Sequence, residues 1–207
     1  MFTGILKGIA EVIEVKEAPR LTSFALAMIS DDDLYLEGVQ IGASVAVDGV
    51  CLTVTKTDGR VVWFDVMEET LQKTTIGTVQ KGGRFNVERS FCARDEIGGH
   101  IVSGHVTGMA EIVQAETPEN NHILTFKIPK QEMKYVFKKG FIALNGASLT
   151  IVDVDKREGT FTVHFIPETL ELTTFSKKIV QDLVNFEIDS RTQAIVDTTE
   201  AYLQERN

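Results

Sequence analysis

The feature that most constrains this chain is an internal repeat that spans almost all of its 207 residues. Four segments recur in the same order at a nearly constant offset of 97 to 100 residues. The matching pairs are TGILKGIAEVIEV at 3–15 with SGHVTGMAEIVQA at 103–115, DGVCLTV at 48–54 with NGASLTI at 145–151, ETLQKTT at 69–75 with ETLELTT at 168–174, and FNVE at 85–88 with VNFE at 184–187. We interpret the chain as a tandem duplication of a domain-sized unit of about 95 residues.

Each copy has the sequence pattern of a small β-domain. VCLTVTK and VVWFDVM alternate in hydropathy on either side of an Asp58-Gly59 turn, which predicts a β-hairpin. SLTIVDV and TFTVHFI repeat this order in the second copy, with a longer loop between them. Several short strands at this spacing predict a small closed antiparallel barrel in each half.

The connections and the tail are less regular than the strands. Gly98 and Gly99 precede the second copy, so we predict an N-terminal barrel over 1–97 and a C-terminal barrel over 98–189. Short helical pieces are predicted at 31–37 and 130–138.

Residues 190–207 are predicted to form a helix that begins with a capping box of Ser190 and Gln193. Its semi-apolar face comprises Ile195, Val196, Thr199, Tyr202 and Leu203. That face either packs back on its own chain or serves oligomerisation.

Composition excludes several classes of partner. With 43% apolar residues the chain can bury its cores without disulfides, and a formal charge of −9 argues against nucleic-acid or anionic-membrane partners. Two cysteines without a Cys/His cluster argue against a structural zinc site. The sequence shows neither a signal peptide nor an apolar run of about 18 residues, so we expect a cytoplasmic protein.

Strand alternation gives the first functional indication. Cys51 and Thr53 share the polar face of one predicted strand, and Ser148 and Thr150 share the same face in the second copy. Both copies thus present a small nucleophilic or hydrogen-bonding side chain followed by a threonine. The alternative is that these are ordinary sheet residues with a buried cysteine.

Two other repeated motifs suggest ligand contacts. Thr3-Gly4-Ile5 and Ser103-Gly104-His105 each place a glycine where backbone can approach another group, and only the second copy carries a histidine. In the repeated ETLxxTT motif, Glu69 and Glu168 can accept hydrogen bonds from a heterocycle or can belong to a turn or helix start. The sequence has no phosphate-binding loop, dinucleotide fingerprint or zincin motif.

Taken together, the motifs resemble the α-chain riboflavin synthase family. The matching stretches are MFTG, GASVAVDGVCLTV, DEIGGHIVSGHV, KGFIALNGASLT and IPETL, and they extend over nearly the whole chain. The resemblance implies an all-β fold of two tandem-duplicated six-stranded antiparallel Greek-key β-barrels plus a C-terminal α-helix. It further implies a homotrimer, with each working site between the N-terminal barrel of one subunit and the C-terminal barrel of a neighbour.

The implied reaction is the dismutation of two molecules of 6,7-dimethyl-8-ribityllumazine, both held in one active site. One molecule gives a four-carbon unit to the other, which yields riboflavin and 5-amino-6-ribitylaminouracil. Two identical substrates call for two similar pockets with unlike roles, and no redox cofactor or metal is implied. A non-catalytic lumazine-binding antenna is the main alternative, followed by a duplicated β-protein without a ligand. Association with a lumazine synthase shell, seen for some relatives, stays open.

The resemblance also implies the site residues. Ser148, Thr150 and His105 would line the C-barrel pocket, and Cys51 and Thr53 the N-barrel pocket. Ser148 or Cys51 would place or add a nucleophile at C7 of the ring, and His105 would shuttle protons. The full implied set is catalytic Ser148, His105, Cys51 and Thr150, with substrate contacts from Gly4, Ile5, Leu6, Cys51, Leu52, Thr53, Asp65, Val66, Met67, Glu68, Glu69, Thr70, Gly104, His105, Val106, Lys139, Ser148, Leu149, Thr150, His164, Phe165, Ile166, Pro167, Glu168 and Thr169.

One pair departs from the family pattern. The family usually has Asn-Gly in the first copy and Asp-Gly in the second, whereas this chain has Asp48 and Asn145. If the second-copy aspartate activates a neighbour, Asn145 cannot accept a proton in its place. The exchange therefore bears on which pocket holds the donor and which the acceptor.

Overall fold

The duplication in the sequence is repeated in the fold as two closed barrels of equal topology. A computed structural model describes residues 1–29, 35–93, 95–119 and 121–206. The first barrel consists of β1 (Gly8–Ala18), β2 (Leu21–Met28), β3 (Ser44–Val47), β4 (Val50–Asp58), β5 (Val61–Met67) and β6 (Arg84–Arg89). The second consists of β7 (Gly108–Glu116), β8 (His122–Lys127), β9 (Phe141–Leu144), β10 (Ala147–Asp155), β11 (Thr160–Phe165) and β12 (Leu183–Ile188).

Strand order confirms the predicted barrels. Around the first barrel the order is β1-β2-β5-β4-β3-β6, and the second repeats it as β7-β8-β11-β10-β9-β12. The bulges also repeat, at Val12/Glu14 and Ile112/Gln114 on the first strand of each copy. Since a bulge bends and twists its strand, an equivalent bulge helps both barrels to close. The predicted domain boundary at 97/98 falls between β6 and β7 and remains a prediction.

Short helices fill the connections. These are α1 (Glu68–Lys73), α2 (Pro167–Leu172), α3 (Ser190–Gln204) and 3-10 helices at Thr75–Thr78, Lys130–Tyr135 and Thr174–Lys177. Of the helical piece predicted at 31–37, residues 31–34 lie outside the described residues and 35–37 form a turn. The piece predicted at 130–138 is a single 3-10 helix that ends at Tyr135.

The N-terminal segments of the two copies cross between the barrels. Each barrel has its own apolar core, but Leu6 of the first copy lies in the core of the second barrel. Val106, its counterpart, packs against the core of the first. Between these segments Phe2 and Val102 form a two-residue bridge, with N–O distances of 2.8 and 3.0 Å. The crossing places residues of each copy beside strands of the other.

The predicted C-terminal helix is present, with a different cap. Asp189, rather than the predicted Ser190, is the N-cap residue, because its carboxylate accepts hydrogen bonds from the amides of Arg191 and Thr192. Val196 packs against the second core, whereas Ile195 is 68% exposed.

Ion pairs and a hydrogen bond also hold this helix to the second barrel. Lys134 Nζ lies 3.1 Å from Asp197 Oδ1 and 2.6 Å from Glu200 Oε2. The Tyr135 hydroxyl also donates to Asp197. The helix is therefore fixed on one side, while Ile195, Tyr202 and Leu203 remain exposed. In the described part of the chain, every helix is too short or too polar to cross a bilayer.

Candidate functional site

The first barrel carries an open cavity of about 460 Å³ on its outer face. Every residue predicted for this barrel's strands β4 and β5 lines it. The lining residues are Arg20, Cys51, Leu52, Thr53, Thr55, Asp65, Val66, Met67, Glu68, Glu69 and Thr70. Arg20 and Thr55 line the cavity but are not among the predicted substrate contacts. The strand alternation does predict that Thr55 shares the outward face of Cys51 and Thr53, whereas no local pattern indicates Arg20.

Strand alternation sets both candidate faces. Along β4, Leu52 and Val54 are buried, whereas Cys51 is half-buried and Thr53 is exposed. Strand β10 repeats this pattern, with Ser148 half-buried and Thr150 exposed. The predicted alternation is therefore confirmed, and each barrel presents one sulfhydryl or hydroxyl followed by a threonine on its outer face.

The ETLxxTT motif divides into two parts with different roles. Its first half begins α1, where Glu69 is exposed, lines the cavity and pairs with Lys73 at 2.6 Å. Its second half is structural, because Thr74 Oγ1 accepts the Ile76 amide at 3.3 Å and so caps the following 3-10 helix. Thr173 caps the equivalent turn in the second copy.

On the outer face of β10, Ser148 contacts a histidine. Its hydroxyl oxygen lies 2.6 Å from His100 Nδ1 and accepts the His100 backbone amide at 3.1 Å. The His100 ring is buried and stacks on Phe141 with a centroid distance of 5.2 Å. Burial lowers the pKa of His100, which favours the neutral ring. A neutral Nδ1 can accept the Ser148 proton, as a general base must.

The crossed N-terminal segments connect each candidate face to the opposite copy. The Ser148 amide donates to the Gly4 carbonyl at 2.8 Å, and the Cys51 amide donates to the Gly104 carbonyl at 2.9 Å. Within the chain, His105 follows the glycine whose carbonyl contacts Cys51, so its predicted grouping with Ser148 remains a prediction. His100, from the segment before the second copy, is the histidine at Ser148.

Glycine is required at both contacts. A Cβ atom on Gly4 would lie 2.5 Å from Ser148 Cβ, and one on Gly104 would lie 2.5 Å from Cys51 Cβ. Both glycines have a positive φ, of +72° and +82°. The close approach expected from the sequence is thus an approach to the pocket strands themselves.

The second copy differs from the first around its candidate face. His164 occupies the strand position of Asp65, and its Nδ1 lies 3.1 Å from Asn121 Nδ2. Lys139 occupies the position of Gly42 and has φ +67°, a region that lysine seldom adopts. The amides of Lys139 and Gly42 make equivalent hydrogen bonds of 2.8 Å, to Ile151 and Val54.

Asp48 and Asn145 lie outside both candidate faces. Together with Asn86 and Asn185 they form the polar contact between the two barrels, which we call the joint. Each caps the neighbouring strand through its side chain: Asp48 Oδ1 accepts the Asn86 amide at 2.8 Å, and Asn145 Oδ1 accepts the Asn185 amide at 2.7 Å. Asn86 Nδ2 and Asn185 Nδ2 then donate across the joint, to the carbonyls of Asn145 and Asp48. Burial raises the pKa of Asp48 from 3.8 to about 7, although its hydrogen bond from Asn86 lowers it.

Metal ligation is not suggested by the geometry. Within the ranges that the structure describes, no three His, Cys, Asp or Glu side chains are grouped so that they could hold a metal ion. The two candidate faces instead offer thiol, hydroxyl, imidazole and carboxylate groups beside apolar surface, which suits a polar organic ligand.

The fold and these two faces define a class of protein with tandem-duplicated β-barrels and one candidate ligand face on each. A family model described as "Lumazine binding domain" matches the chain twice, at residues 3–90 and 103–189. The chain therefore belongs to the lumazine-binding family.

Similar proteins extend over its full length. Riboflavin synthase of Escherichia coli (strain K12) is 46% identical over 207 residues, which cover 100% of this chain and 95% of that one. Riboflavin synthase of Chlamydia pneumoniae is 42% identical over 203 residues, covering 98% and 97%. The fold also matches LumP complexed with riboflavin, at 23% identity and a TM-score of 0.82, over 92% of this chain and 100% of that one.

Proposed function

We propose that this chain is a riboflavin synthase. It converts two molecules of 6,7-dimethyl-8-ribityllumazine into riboflavin and 5-amino-6-ribitylaminouracil by moving a four-carbon unit from one to the other. Two synthases at 46% and 42% identity, aligned over 98% or more of the chain, support this activity.

The observation that carries the proposal is a pair of equivalent pocket faces with unlike reactive groups. Cys51 and Ser148 occupy the same strand position, but only Ser148 has His100 hydrogen-bonded to its side chain. A dismutation needs two sites that bind one compound and treat it differently. The equivalent strand geometry explains how both sites bind the same compound, and the different residues at 51 and 148 explain how they treat it differently.

The Ser148–His100 pair accounts for a nucleophile and a base. Ser148 Oγ, or a water that it holds, adds to C7 of one bound ring, while His100 Nδ1 takes up the proton. The C7 methyl group is acidic because its anion delocalises into the ring, so modest base assistance and positioning suffice. Thr150, exposed beside Ser148, and Thr53, exposed beside Cys51, hydrogen-bond the ligand on their respective faces.

The working assembly in this proposal is a cytoplasmic homotrimer without cofactor. The exposed side of α3, with Ile195, Tyr202 and Leu203, supports contact between subunits. Met67 and Ile166, which are 69% and 60% exposed at the rims of the two faces, support closure of one face over the other. Apposition of an N-terminal face and a C-terminal face from neighbouring subunits brings two substrates together.

The test is incubation of the purified protein with 6,7-dimethyl-8-ribityllumazine alone, without metal or nucleotide. Riboflavin and the pyrimidinedione are expected in equal amounts by chromatography. A fluorescent ligand bound at one site per chain and left unconverted would replace this proposal with an antenna function. Absence of binding would leave only a structural role.

A further inference from the structure

Two buried glutamates hold the crossed segments, and neither belongs to the site described above. Glu88 on β6 is 3% exposed and accepts three hydrogen bonds from the first segment. Its Oε1 accepts the Thr3 amide and the Thr3 hydroxyl, both at 2.7 Å, and its Oε2 accepts the Gly4 amide at 3.0 Å. The Gly4 carbonyl then receives the Ser148 amide.

Glu187 on β12 repeats the arrangement for the other pocket. It is 6% exposed, and its Oε1 accepts the Ser103 amide at 2.7 Å and the Ser103 hydroxyl at 2.8 Å. Its Oε2 accepts the Gly104 amide at 2.9 Å. The Gly104 carbonyl receives the Cys51 amide.

We propose that Glu88 and Glu187 are positioning residues that act across the barrels. Glu88 of the first copy fixes Ser148 of the second through Gly4, and Glu187 of the second copy fixes Cys51 of the first through Gly104. The catalytic consequence rests on the proposed function, whereas the positioning itself does not.

A carboxylate is the group that this geometry requires. Both oxygens of each glutamate accept N–H or O–H donors, and hydrogen bonds to a charged acceptor are stronger than neutral ones. A glutamine would turn an NH₂ group toward one of these amides, so a donor would face a donor. Glu88→Gln and Glu187→Gln therefore remove the contact while they preserve side-chain volume.

The experiment compares amide hydrogen exchange at Ser148 and Cys51, resolved by residue, in full-length Glu88→Gln and Glu187→Gln proteins. In Glu88→Gln we expect exchange at Ser148 to accelerate about tenfold or more, with Cys51 unchanged; tenfold corresponds to about 1.4 kcal/mol. In Glu187→Gln the acceleration is expected at Cys51 instead. Equal acceleration at both amides, or acceleration on the same-copy side, would overturn the proposal.

Matched controls separate positioning from loss of folding. Glu11→Gln and Glu111→Gln make the same substitution at equivalent positions on β1 and β7, where Glu11 pairs with Arg84 at 3.5 Å. The Ser148 and Cys51 amides should keep their wild-type exchange rates in both controls.

If a glutamine variant does not fold, Thr3→Val and Ser103→Ala each remove one hydrogen bond to the glutamate and one from the Ile5 or His105 amide, but they keep the two backbone amides on each carboxylate. They should show the same crossed pattern at smaller amplitude. Uniform rates in these milder variants would also refute the positioning role.

Turnover supplies a second, separable readout. With both pockets needed, each glutamine variant is expected to lower kcat about tenfold, while the controls stay at the wild-type value. If the wild-type protein converts no lumazine, the proposed function fails but the exchange pattern still tests the positioning. A further outcome is normal turnover in both glutamine variants even though amide exchange accelerates in the opposite copy. In that case the positioning does not contribute to catalysis, and that part of the proposal is wrong.

Discussion

Cys51 and Ser148 occupy one position in two barrels of equal topology, yet they have different surroundings. Both amides donate to the carbonyl of a crossed glycine, at 2.9 and 2.8 Å. Only Ser148 has an imidazole on its side chain, at 2.6 Å. The backbone around the two pockets is therefore shared, and the chemistry is set by side chains that the repeat does not share.

The contacts around Cys51 and Ser148 indicate which parts of a duplicated site can change. Contacts that hold the two barrels together are symmetric: glutamate to glycine, glycine to strand, and Asn86 and Asn185 across the joint. Groups on the two candidate faces are asymmetric, as shown by Asp65 and His164, which occupy the same strand position.

The largest expected effect comes from disrupting the close contact between a crossed glycine and a strand, which both copies share. Gly4→Ala places a Cβ 2.5 Å from Ser148 Cβ at a positive φ, so we expect a loss of stability of about 3 kcal/mol or more and loss of turnover. Gly82→Ala is the matched control, since it has φ +83° and nothing within 4 Å, and should cost about 1 kcal/mol. Denaturant unfolding and turnover measure both, and equal losses in the two variants would contradict the close contact.

Removing the reactive group from each face should separate their roles. We expect Ser148→Ala to lower kcat by about 10² or more, because the hydroxyl that is hydrogen-bonded to His100, and that we propose as the nucleophile, is lost. Cys51→Ser, which places the second copy's residue in the first pocket, is expected to cost less than about tenfold, since Cys51 is not paired with His100. A larger loss in Cys51→Ser than in Ser148→Ala would reverse the proposed assignment of nucleophile.

Asp48 makes the symmetric joint sensitive to pH. Its folded-state pKa of about 7 exceeds the ordinary 3.8, so its contribution to stability is complete below pH 4 and is lost as the pH rises through 7. We expect Asp48→Asn to raise the free energy of unfolding at pH 8 by on the order of 1–3 kcal/mol and to flatten its dependence on pH between 4 and 7. Urea unfolding at several pH values measures this.

Asn145→Asp tests the other side of the contact between the barrels. It adds a second buried carboxyl to the joint and is expected to destabilise at pH 8 by a similar amount. The double variant Asp48→Asn/Asn145→Asp restores one carboxyl on the other side and should unfold close to wild type. A double variant as unstable as Asn145→Asp alone would show that the joint is not equivalent on its two sides.

The smallest stability effect is expected at Lys139. Lys139→Gly copies Gly42 of the first barrel and relieves a residue at φ +67°, so stability should change by less than about 1 kcal/mol. Turnover should still fall if Lys139 contacts the substrate as the family resemblance implies, because the second candidate face then loses a cation. Gly42→Ala tests the equivalent turn of the first barrel, where a side chain is added instead of removed. Unchanged turnover in Lys139→Gly would exclude Lys139 from the site.

Much of this organisation could be predicted from the sequence. The repeat, the hairpins and the in-out alternation on β4 and β10 follow from periodicity, because each is a local property of the strand. The pocket on the first barrel agrees with the predicted Cys51–Thr53 and Asp65–Thr70.

What the sequence could not predict depends on contacts between the copies. The family resemblance implies a grouping of His105 with Ser148, whereas the crossing of the N-terminal segments puts Gly104, the residue before His105, against Cys51. His100 and Ser148 are 48 residues apart in the sequence, and Glu88 and Thr3 are 85 residues apart. No local pattern encodes such distances. The Asp189 cap was missed by a single residue, since both Asp and Ser are good caps.

Gly49 and Gly146 face each other across the joint, and a Cβ on Gly49 would lie 2.7 Å from Gly146 N. In an assembly of two identical single-barrel chains, each substitution would appear on both sides of such a contact and in both pockets at once. In one continuous chain the two sides are encoded separately. Evolution can then retain the glycine pair while the residues at 51 and 148 diverge. The duplicated gene thus allows the contact between the barrels to stay symmetric while the two candidate faces become different.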